Sequence, residues 1–359
     1  MGSKYTSIAG SLISLYFFIS GIMLVKDSAK LMAEFLAENI VLVIRDTTSA
    51  VFAGWIGTAL LHSSGAFDSI TVAFVSSGAM PLSLAVSTLI GAELGTTVTP
   101  FLISVLNQVR KKQHQDAAFN VTLTHVIYNL CSLFIFYPAE LFFGTLTWVA
   151  LQGSKIFVKA PWLDAVPDLL DVVTPWVPTV LKFIPPWAGL VMGAVMLLIA
   201  LNGVEKYMTE IFNMPRSWNL IRATFQKPYR AFIAGLIFTI LIPSTTVMVS
   251  LLVPLASSGV LGAEYYILPY ILGANIGTVF DVMIAAMATG DPLALGVWLV
   301  HLVINLVGAL IFLPLMKPFS KVVRTAADKI ATSPKLTLVV TAIFHIIPAM
   351  IIIYYVMTG

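Results

Sequence analysis

Two hydroxyl-rich turns interrupt long apolar stretches of the sequence and are its main candidates for binding chemistry. The first is His62-Ser63-Ser64-Gly65 and the second is Pro243-Ser244-Thr245-Thr246. A break in an apolar helix exposes backbone N–H groups, which hold phosphate-like anions, whereas freed carbonyl and hydroxyl oxygens suit Na⁺. Serine and threonine also bond back to their own helix, so the symmetric placement of the two turns favours a site more than either turn alone.

The residues around these turns recur later in the chain at a nearly constant offset. Ala53-Gly54 and Thr58 return 181 residues later as Ala234-Gly235 and Thr239. At the same offset, Val75-Ser76-Ser77-Gly78 returns in Ala256-Ser257-Ser258-Gly259. Gly91-Ala92-Glu93-Leu94-Gly95-Thr96 returns as Gly273-Ala274-Asn275-Ile276-Gly277-Thr278 at an offset of 182. We predict an internal repeat, against the alternative of an ordinary helix bundle with chance similarity in small residues.

The composition places these turns in a membrane. Hydrophobic residues make up 58% of the 359 residues and charged residues only 10%, against about 25% charged in soluble domains. We therefore predict an all-α polytopic membrane protein surrounded by the lipid bilayer. The single cysteine, Cys131, excludes an intrachain disulfide and a multi-cysteine zinc site, and a net charge of +3 indicates no nucleic-acid partner.

The few charges predict the topology. Three segments, 107–116, 207–230 and 317–335, hold 12 of the 20 basic residues, so the positive-inside rule places them in the cytoplasm. The segment 26–46 has a balance of −1 and is placed outside. Counting passes through 117–150 and 187–206 puts 151–186 outside, the N-terminus inside and the C-terminus outside. The segments 47–106 and 231–289 then need an odd number of crossings each, either three passes or a re-entrant hairpin plus one pass.

Because the two copies start from opposite sides, we predict inverted-topology repeats with re-entrant hairpins and broken helices, an architecture of secondary transporters. We predict five parts along the chain. They are a first transport repeat over 1–150, an extracellular Pro/Trp-rich connector over 151–186, a second inverted repeat over 187–316, a cytoplasmic basic segment over 317–335 and a C-terminal transmembrane helix over 336–359.

Several ionisable residues are predicted at membrane depth, where such groups are candidates for function. Glu93 takes the position of Asn275 in the other copy, and Asp281 takes that of Thr99. We interpret Glu93, Asp281 and His62 as possible coupling residues, against a location at the membrane rim. His125 with Asn129 and His301 with Asn305 share an i, i+4 spacing on one helix face, and for these histidines we favour interhelical hydrogen bonds that support the helices.

With these motifs in hand, the sequence resembles the type II sodium–phosphate cotransporter family. That family carries in each inverted repeat a Gln-Ser-Ser-Ser block, a Ser-Ser-Gly turn about fourteen residues later and a Gly-Ala-Asn-Ile-Gly-Thr-Thr block. Here His62 and Ser76, like Pro243 and Ser257, are fourteen residues apart. The departures are His62 and Pro243 for glutamine, Gly65 for the last serine, a Ser-Thr-Thr second block, Glu93 for asparagine and Val279 for the final threonine.

The resemblance implies phosphate transport driven by sodium. It implies substrate contacts at Ser63, Ser64, Gly65, Ser244, Thr245 and Thr246. For sodium it implies Ser76, Ser77, Thr96, Thr97, Ser257, Ser258, Asn275 and Thr278. We predict no cofactor and no metal other than Na⁺ as the co-transported ion, and a location in the cell membrane.

The sequence interpretation is thus a secondary active transporter of a small anion, phosphate by preference, in symport with Na⁺. No Lys or Arg lies between Arg45 and Arg110 or between Arg230 and Lys317, so bound Na⁺ would supply the positive charge. The alternatives are another small solute or proton coupling on the same fold, and an anion channel. An enzyme is disfavoured, because His62 beside Ser63 and Ser64 is the one local nucleophile–base candidate and neighbouring residues on a helix do not face each other. The sequence does not define the oligomeric state.

Overall fold

The structure is a computed structural model that describes residues 2–32, 35–36, 43–110, 114–158, 172–212, 224–257, 261 and 266–358. These ranges form helices and no strand. The helices are α1 (Gly2–Leu31), α2 (Thr47–Leu61), α3 (Ser64–Ser77), α4 (Leu82–Gly95), α5 (Val98–Val109), α6 (Gln115–Phe143), α7 (Thr145–Phe157), α8 (Trp176–Val180), α9 (Pro186–Phe212), α10 (Pro228–Leu241), α11 (Thr245–Ser257), α12 (Ile267–Thr289), α13 (Pro292–Phe312), α14 (Met316–Thr332) and α15 (Pro334–Met357).

Among the described residues, six helical stretches have the length and composition to cross a membrane. They are Thr6–Leu31, Leu82–Val109, Gln115–Phe143, Ile267–Thr289, Pro292–Phe312 and Pro334–Met357. This finding confirms the predicted all-α polytopic membrane protein.

Two pairs of short helices interrupt this series at the predicted turns. The first pair, α2 and α3, has 15 and 14 residues, and the second pair, α10 and α11, has 14 and 13. At 1.5 Å per residue each helix is about 20 Å long, too short for a hydrocarbon core of about 30 Å. Each pair therefore forms a helical hairpin whose tip is one of the hydroxyl-rich turns, which favours the hairpin-plus-one-pass alternative over three full passes.

Local signals in the sequence set the bounds of the first hairpin. Asp46 caps α2 by accepting a hydrogen bond from the Ser49 amide at 2.8 Å, since side-chain oxygens satisfy the free N–H groups of a first turn. His62 ends α2 in the left-handed region with φ 54°. In the second hairpin, Pro243 lies in the tip that separates α10 from α11 and lacks the amide hydrogen that a continuing helix would use.

Each hairpin packs against the next long helix through glycines at corresponding positions. A Cβ atom on Gly91 of α4 would lie 1.7 Å from the Val51 carbonyl oxygen of α2, and one on Gly273 of α12 would lie 2.0 Å from the Phe232 carbonyl oxygen of α10. Gly95 and Gly277 repeat this relation one turn later, against the carbonyl oxygens of Trp55 at 2.5 Å and Leu236 at 2.7 Å respectively. The offsets of 181 and 182 found in the sequence thus recur in the packing, which brings the two backbones into direct contact.

The two long helices differ at the end of this motif. The first is divided into α4 and α5 at Thr96–Thr97, whereas α12 runs without interruption through Thr278 and Val279. Thr97 donates its hydroxyl to the Leu94 carbonyl at 2.7 Å, and such backbone-directed bonds compete with helix geometry. Valine at position 279 offers no hydroxyl. The hydroxyl-rich turns that were expected to break the helices separate α2 from α3 and α10 from α11, and the first copy has a further interruption at Thr96–Thr97.

The bundle has two chemically different ends. At one end, a cavity of about 570 Å³ is lined by the end of α1, the end of α3 and the turn after α12, including Lys26, Lys30, Ser77 and Asp291. At the other end, Asn107 donates to Ser257 Oγ at 3.3 Å and Gln108 donates to the Ile330 carbonyl at 3.1 Å. The bases of the two hairpins therefore lie at opposite ends of the bundle.

The remaining predicted parts correspond to helices in the second half of the chain. The basic segment 317–335 falls mostly on α14, whose apolar side buries Phe319, Val323 and Ala327, and 336–359 falls on α15. The connector 151–186 begins within α7, and its residues 159–171 lie outside the described residues. The domain boundaries stay predictions.

Candidate functional site

The hairpin tips are built in the same way. Ser63 Oγ accepts a hydrogen bond from the Ala66 amide, and Ser244 Oγ accepts one from the Val247 amide, both at 3.2 Å. Each serine therefore caps the helix that leaves its tip, α3 or α11. The positive ends of two helix dipoles lie at the two tips.

Capping leaves specific donors at each tip. The serine takes the amide of the third helical residue, and the first two amides of a helix have no intrahelical acceptor. These amides belong to Ser64 and Gly65 in α3 and to Thr245 and Thr246 in α11. All four residues are buried, so both tips present backbone N–H groups and hydroxyls inside the protein.

The second tip touches the helix break of the first copy. Thr246 Oγ1 lies 3.4 Å from the Thr96 carbonyl oxygen, to which it donates. Thr245 donates to the Ala274 carbonyl at 3.2 Å and contacts the hydroxyl of Thr278. The structure thus brings together predicted substrate residues of one copy and predicted sodium residues of both.

A buried charged cluster lies across the two copies. His301 Nε2 of α13 is 2.8 Å from Glu93 Oε1 of α4, and His301 Nδ1 is 3.7 Å from Asp68 Oδ2 of α3. The Asn305 side chain donates to the same Glu93 oxygen at 2.7 Å. His301 therefore contacts a residue of another helix, and that residue is one of the ionisable groups considered for coupling in the sequence.

The residues that correspond by the repeat to Glu93 and His301, namely Asn275 and His125, form a contact without a carboxylate. Asn275, which takes the place of Glu93, lies beside His125 and Tyr128 of α6. Asn129 is buried one turn further along α6. Glu93 of the first copy thus contacts α13, the helix with His301 that follows the second copy. Asn275 of the second copy contacts α6, the helix with His125 that follows the first copy. Of these two contacts, the one at Glu93 includes a carboxylate.

His62 and Asp281 lie apart from the charged pair. His62 Nδ1 is 2.8 Å from Thr99 Oγ1, so it joins the tip of the first hairpin to the start of α5. At the corresponding place in the second copy, Pro243 and Asp281 line one cavity of about 230 Å³ beside α1. Asp281 is also within electrostatic range of His301.

Three of the sodium residues implied by the resemblance are not brought to the tips, and a fourth is not described. Ser76 and Ser77 end α3 and line the end cavity with Lys26 and Lys30, about 20 Å along a 14-residue helix from the first tip. Ser257 lies at the opposite end beside Asn107, and Ser258 lies outside the described residues.

Asp68 belongs to the buried charged cluster but was not among the predicted site residues. Its signal is the i, i+4 relation to Ser64, which places both on one face of α3. The role of Glu140 was also missed. It accepts hydrogen bonds from the amides of Leu146 and Thr147 at 2.8 and 3.0 Å, which fixes the turn between α6 and α7, and no sequence pattern indicated it.

The fold and this site together define a polytopic helical membrane protein in which two helical hairpins present polar tips within an apolar bundle. The family model for the Na⁺/Pi-cotransporter matches residues 17–154 and 196–328. The chain therefore belongs to the Na⁺/Pi-cotransporter family, a transporter family and not a family of enzymes.

The relatives agree with this assignment at modest identity. The chain is 27% identical over 177 residues to the mouse protein named sodium-dependent phosphate transport protein 2A, which covers 48% of this chain and 28% of that protein. It is 26% identical over 165 residues to human sodium-dependent phosphate transport protein 2B, covering 45% and 23%. The chain thus spans about a quarter of the length of these relatives.

A bacterial relative matches along nearly its whole length. The protein named YqeW of Bacillus subtilis is 21% identical over 337 residues, which covers 92% of this chain and 91% of that protein. No solved structure matches the chain significantly.

Proposed function

We propose that the protein is a secondary active transporter that carries inorganic phosphate together with Na⁺ by alternating access. The observation that carries the proposal is the meeting of the second hairpin tip with the helix break of the first copy, at Thr246 and Thr96. Membership in the Na⁺/Pi-cotransporter family and the names of the mammalian relatives support phosphate and sodium as its substrates.

Phosphate would be held without a basic side chain from the repeats, since Lys and Arg are absent from 46–109 and 231–316. The donors are the first amides of α3 and α11 and the hydroxyl of Ser64, joined by the hydroxyls of Thr245 and Thr246 once these turn from the carbonyls of Ala274 and Thr96 to the anion. Backbone N–H groups at a helix N-terminus form a ready-made anion site, and two such termini facing one anion double the number of donors.

Na⁺ supplies the countercharge in this scheme. Hydroxyl and carbonyl oxygens beside the tips, from Thr96, Thr97 and Thr278, are the ligands that broken or kinked helices offer to Na⁺. Binding of anion and cation is then mutually favourable, because each lowers the cost of burying the other's charge. By thermodynamic reciprocity, phosphate must raise the affinity for Na⁺ by the same factor as Na⁺ raises that for phosphate.

The orientation follows from charge. We propose that the end with Asn107, Ser257 and α14 faces the cytoplasm, as the positive-inside rule requires for the basic segments, and that the end with Lys26 and Asp291 faces outward. The hairpin α2–α3 then enters from outside and α10–α11 from inside. Alternating access would open the tips first to one end of the bundle and then to the other.

Binding measurements on the purified protein test the site. Ser64→Ala should lower phosphate affinity by about tenfold, because a hydrogen bond to a charged group contributes about 1.5–3 kcal/mol and each 1.4 kcal/mol is about tenfold. Ser87→Ala is the matched control, since Ser87 is a buried helical serine that bonds to the Ser83 carbonyl of its own helix. Equal phosphate affinity in both variants would contradict the proposed site.

A further inference from the structure

The membrane interior of this protein holds more carboxylates than cations. Asp68, Glu93 and Asp281 are buried, and His301 is the group among them that can carry positive charge, with Asp68, Glu93 and Asp281 all in electrostatic range. If all four were ionised, the cluster would have a net charge of −2. A net negative charge at this depth is costly, which favours the binding of a cation in the cluster.

The geometry around His301 suits a proton. Its two ring nitrogens point to carboxylates on two different helices, Glu93 on α4 at 2.8 Å and Asp68 on α3 at 3.7 Å. An imidazolium has N–H donors on both nitrogens and no acceptor, so a protonated His301 donates a hydrogen bond to Glu93 and attracts the Asp68 carboxylate, which lies beyond hydrogen-bond distance. A neutral imidazole would turn a lone pair toward one of the two carboxylates, and this arrangement is repulsive.

Within the described ranges, the other helices packed around His301 bring no Lys or Arg side chain to it. Asp281 on α12 lies within electrostatic range of His301, and His125 and Tyr128 of α6 lie within electrostatic range of Glu93. On α7, Lys155 is exposed and bonds to Gln152. A proton on His301 is therefore held by carboxylates alone, with the Asn305 amide as the additional donor to Glu93.

We propose that Glu93, His301 and Asp68 form a proton-binding site whose proton is displaced when Na⁺ binds beside it, an inference that rests on the proposed Na⁺ coupling. One Na⁺ enters and one proton leaves His301 for water, so the charge of the cluster does not change. Glu93 is three residues from Thr96, where the second hairpin tip meets the helix break. A cation bound there raises the potential at Glu93 and His301 and so weakens the hold on the proton.

The first experiment counts protons. The purified full-length protein in a weakly buffered potassium solution is mixed with NaCl or KCl, and a pH-indicator dye reports the protons released. We expect release on addition of Na⁺ and not of K⁺, with the release lost in Glu93→Gln and in His301→Gln. His125→Gln is the matched control, because His125 is equally buried but faces the neutral Asn275, and it should release protons as the wild type does.

The second experiment measures the linkage. The apparent affinity for Na⁺, taken from stabilisation of the protein against heating, should weaken about tenfold for each unit of pH decrease while one proton is exchanged. In Glu93→Gln the affinity should not vary with pH. Should that variant fail to fold, Glu93→Asn places there the residue that the other copy carries and should give the same flat profile.

The outcomes separate the two proposals. Uptake of phosphate driven by a Na⁺ gradient without any proton release would overturn the proton site and leave the symport standing. Proton release that depends on Glu93, without gradient-driven uptake, would support the proton site and reject the symport. Equal proton release from wild type and Glu93→Gln would also overturn the assignment to this cluster.

Discussion

Replacing Gly91 by alanine places a methyl group against the main chain of the first hairpin. The added Cβ would lie 1.7 Å from the Val51 carbonyl oxygen. This is 1.3 Å less than 3.0 Å, the shortest distance that Cβ atoms keep from other heavy atoms in proteins. The obstructing atom belongs to a helix backbone, so α2 must shift relative to α4. Overpacking costs about 1–3 kcal/mol, and we expect the upper end here because no side chain can rotate away.

The higher helix propensity of alanine partly offsets this loss of stability. Alanine is favoured over glycine in a helix by about 1 kcal/mol, so the expected net loss in the free energy of unfolding is about 2 kcal/mol. Gly273→Ala should behave alike, because its Cβ would lie 2.0 Å from the Phe232 carbonyl oxygen. Thermal unfolding of the purified variants in detergent, followed by tryptophan fluorescence, measures the loss.

Gly153→Ala is the matched control for this prediction. Gly153 is also helical, but its Cβ would meet the end of the Leu299 side chain at 2.2 Å, and that side chain can change rotamer. We expect Gly153→Ala to equal or exceed the wild type in stability. If Gly91→Ala and Gly153→Ala unfold at the same temperature, the close backbone crossing of α2 and α4 is not present and the placement of Glu93 and Thr96 loses its support.

Three further changes test separate contacts. Thr245→Val keeps the shape but removes the donor to the Ala274 carbonyl, so phosphate affinity in equilibrium binding should fall about tenfold, while Thr245→Ser should retain most of it; equal losses would argue against a role for the hydroxyl. Glu140→Ala leaves two amides of α7 without their acceptor and should cost about 2 kcal/mol in thermal unfolding; wild-type stability would refute this cap. Partial burial raises the pKa of Asp46, but hydrogen bonds from Ser49 and Tyr355 outweigh it and hold that pKa below its ordinary value. A carboxylate whose pKa is lower in the folded than in the unfolded protein stabilises the fold at a pH above its unfolded-state pKa. This stability is lost as the pH falls through its folded-state pKa. Asp46→Ala should therefore unfold more easily than the wild type near neutral pH and equally easily in strong acid, and a difference independent of pH would show that the carboxylate is not responsible.

The sequence predicted the features that depend on local chemistry. The turns at Ser63 and Ser244 interrupt apolar helices because serine caps a helix and proline or a left-handed residue ends one, and the structure has hairpin tips at both. The shared offset of the glycines predicted an internal repeat, and the structure has close helix crossings at Gly91 and Gly273, where a missing side chain permits equally close approach.

Other features depended on which helices face each other. The interruption at Thr96–Thr97 and the continuous α12 differ by one hydroxyl, at Thr97 and Val279, and the similarity of the two motifs did not indicate this difference. The contact of Glu93 with His301 joins residues more than 200 positions apart, and the repeat pattern alone did not indicate that each copy contacts the histidine helix of the other. Ser76 and Ser77 matched a motif, yet the length of α3 carries them to the far end of the hairpin.

The most direct test of the proposed function is uptake of labelled phosphate into proteoliposomes that contain the purified protein. With an inward Na⁺ gradient, phosphate should accumulate above its external concentration, and Ser64→Ala should reduce the rate where Ser87→Ala does not. A K⁺ gradient of equal size should give no accumulation. Phosphate that only equilibrates across the membrane, at the same rate with Na⁺ and K⁺, would contradict a sodium-coupled transporter.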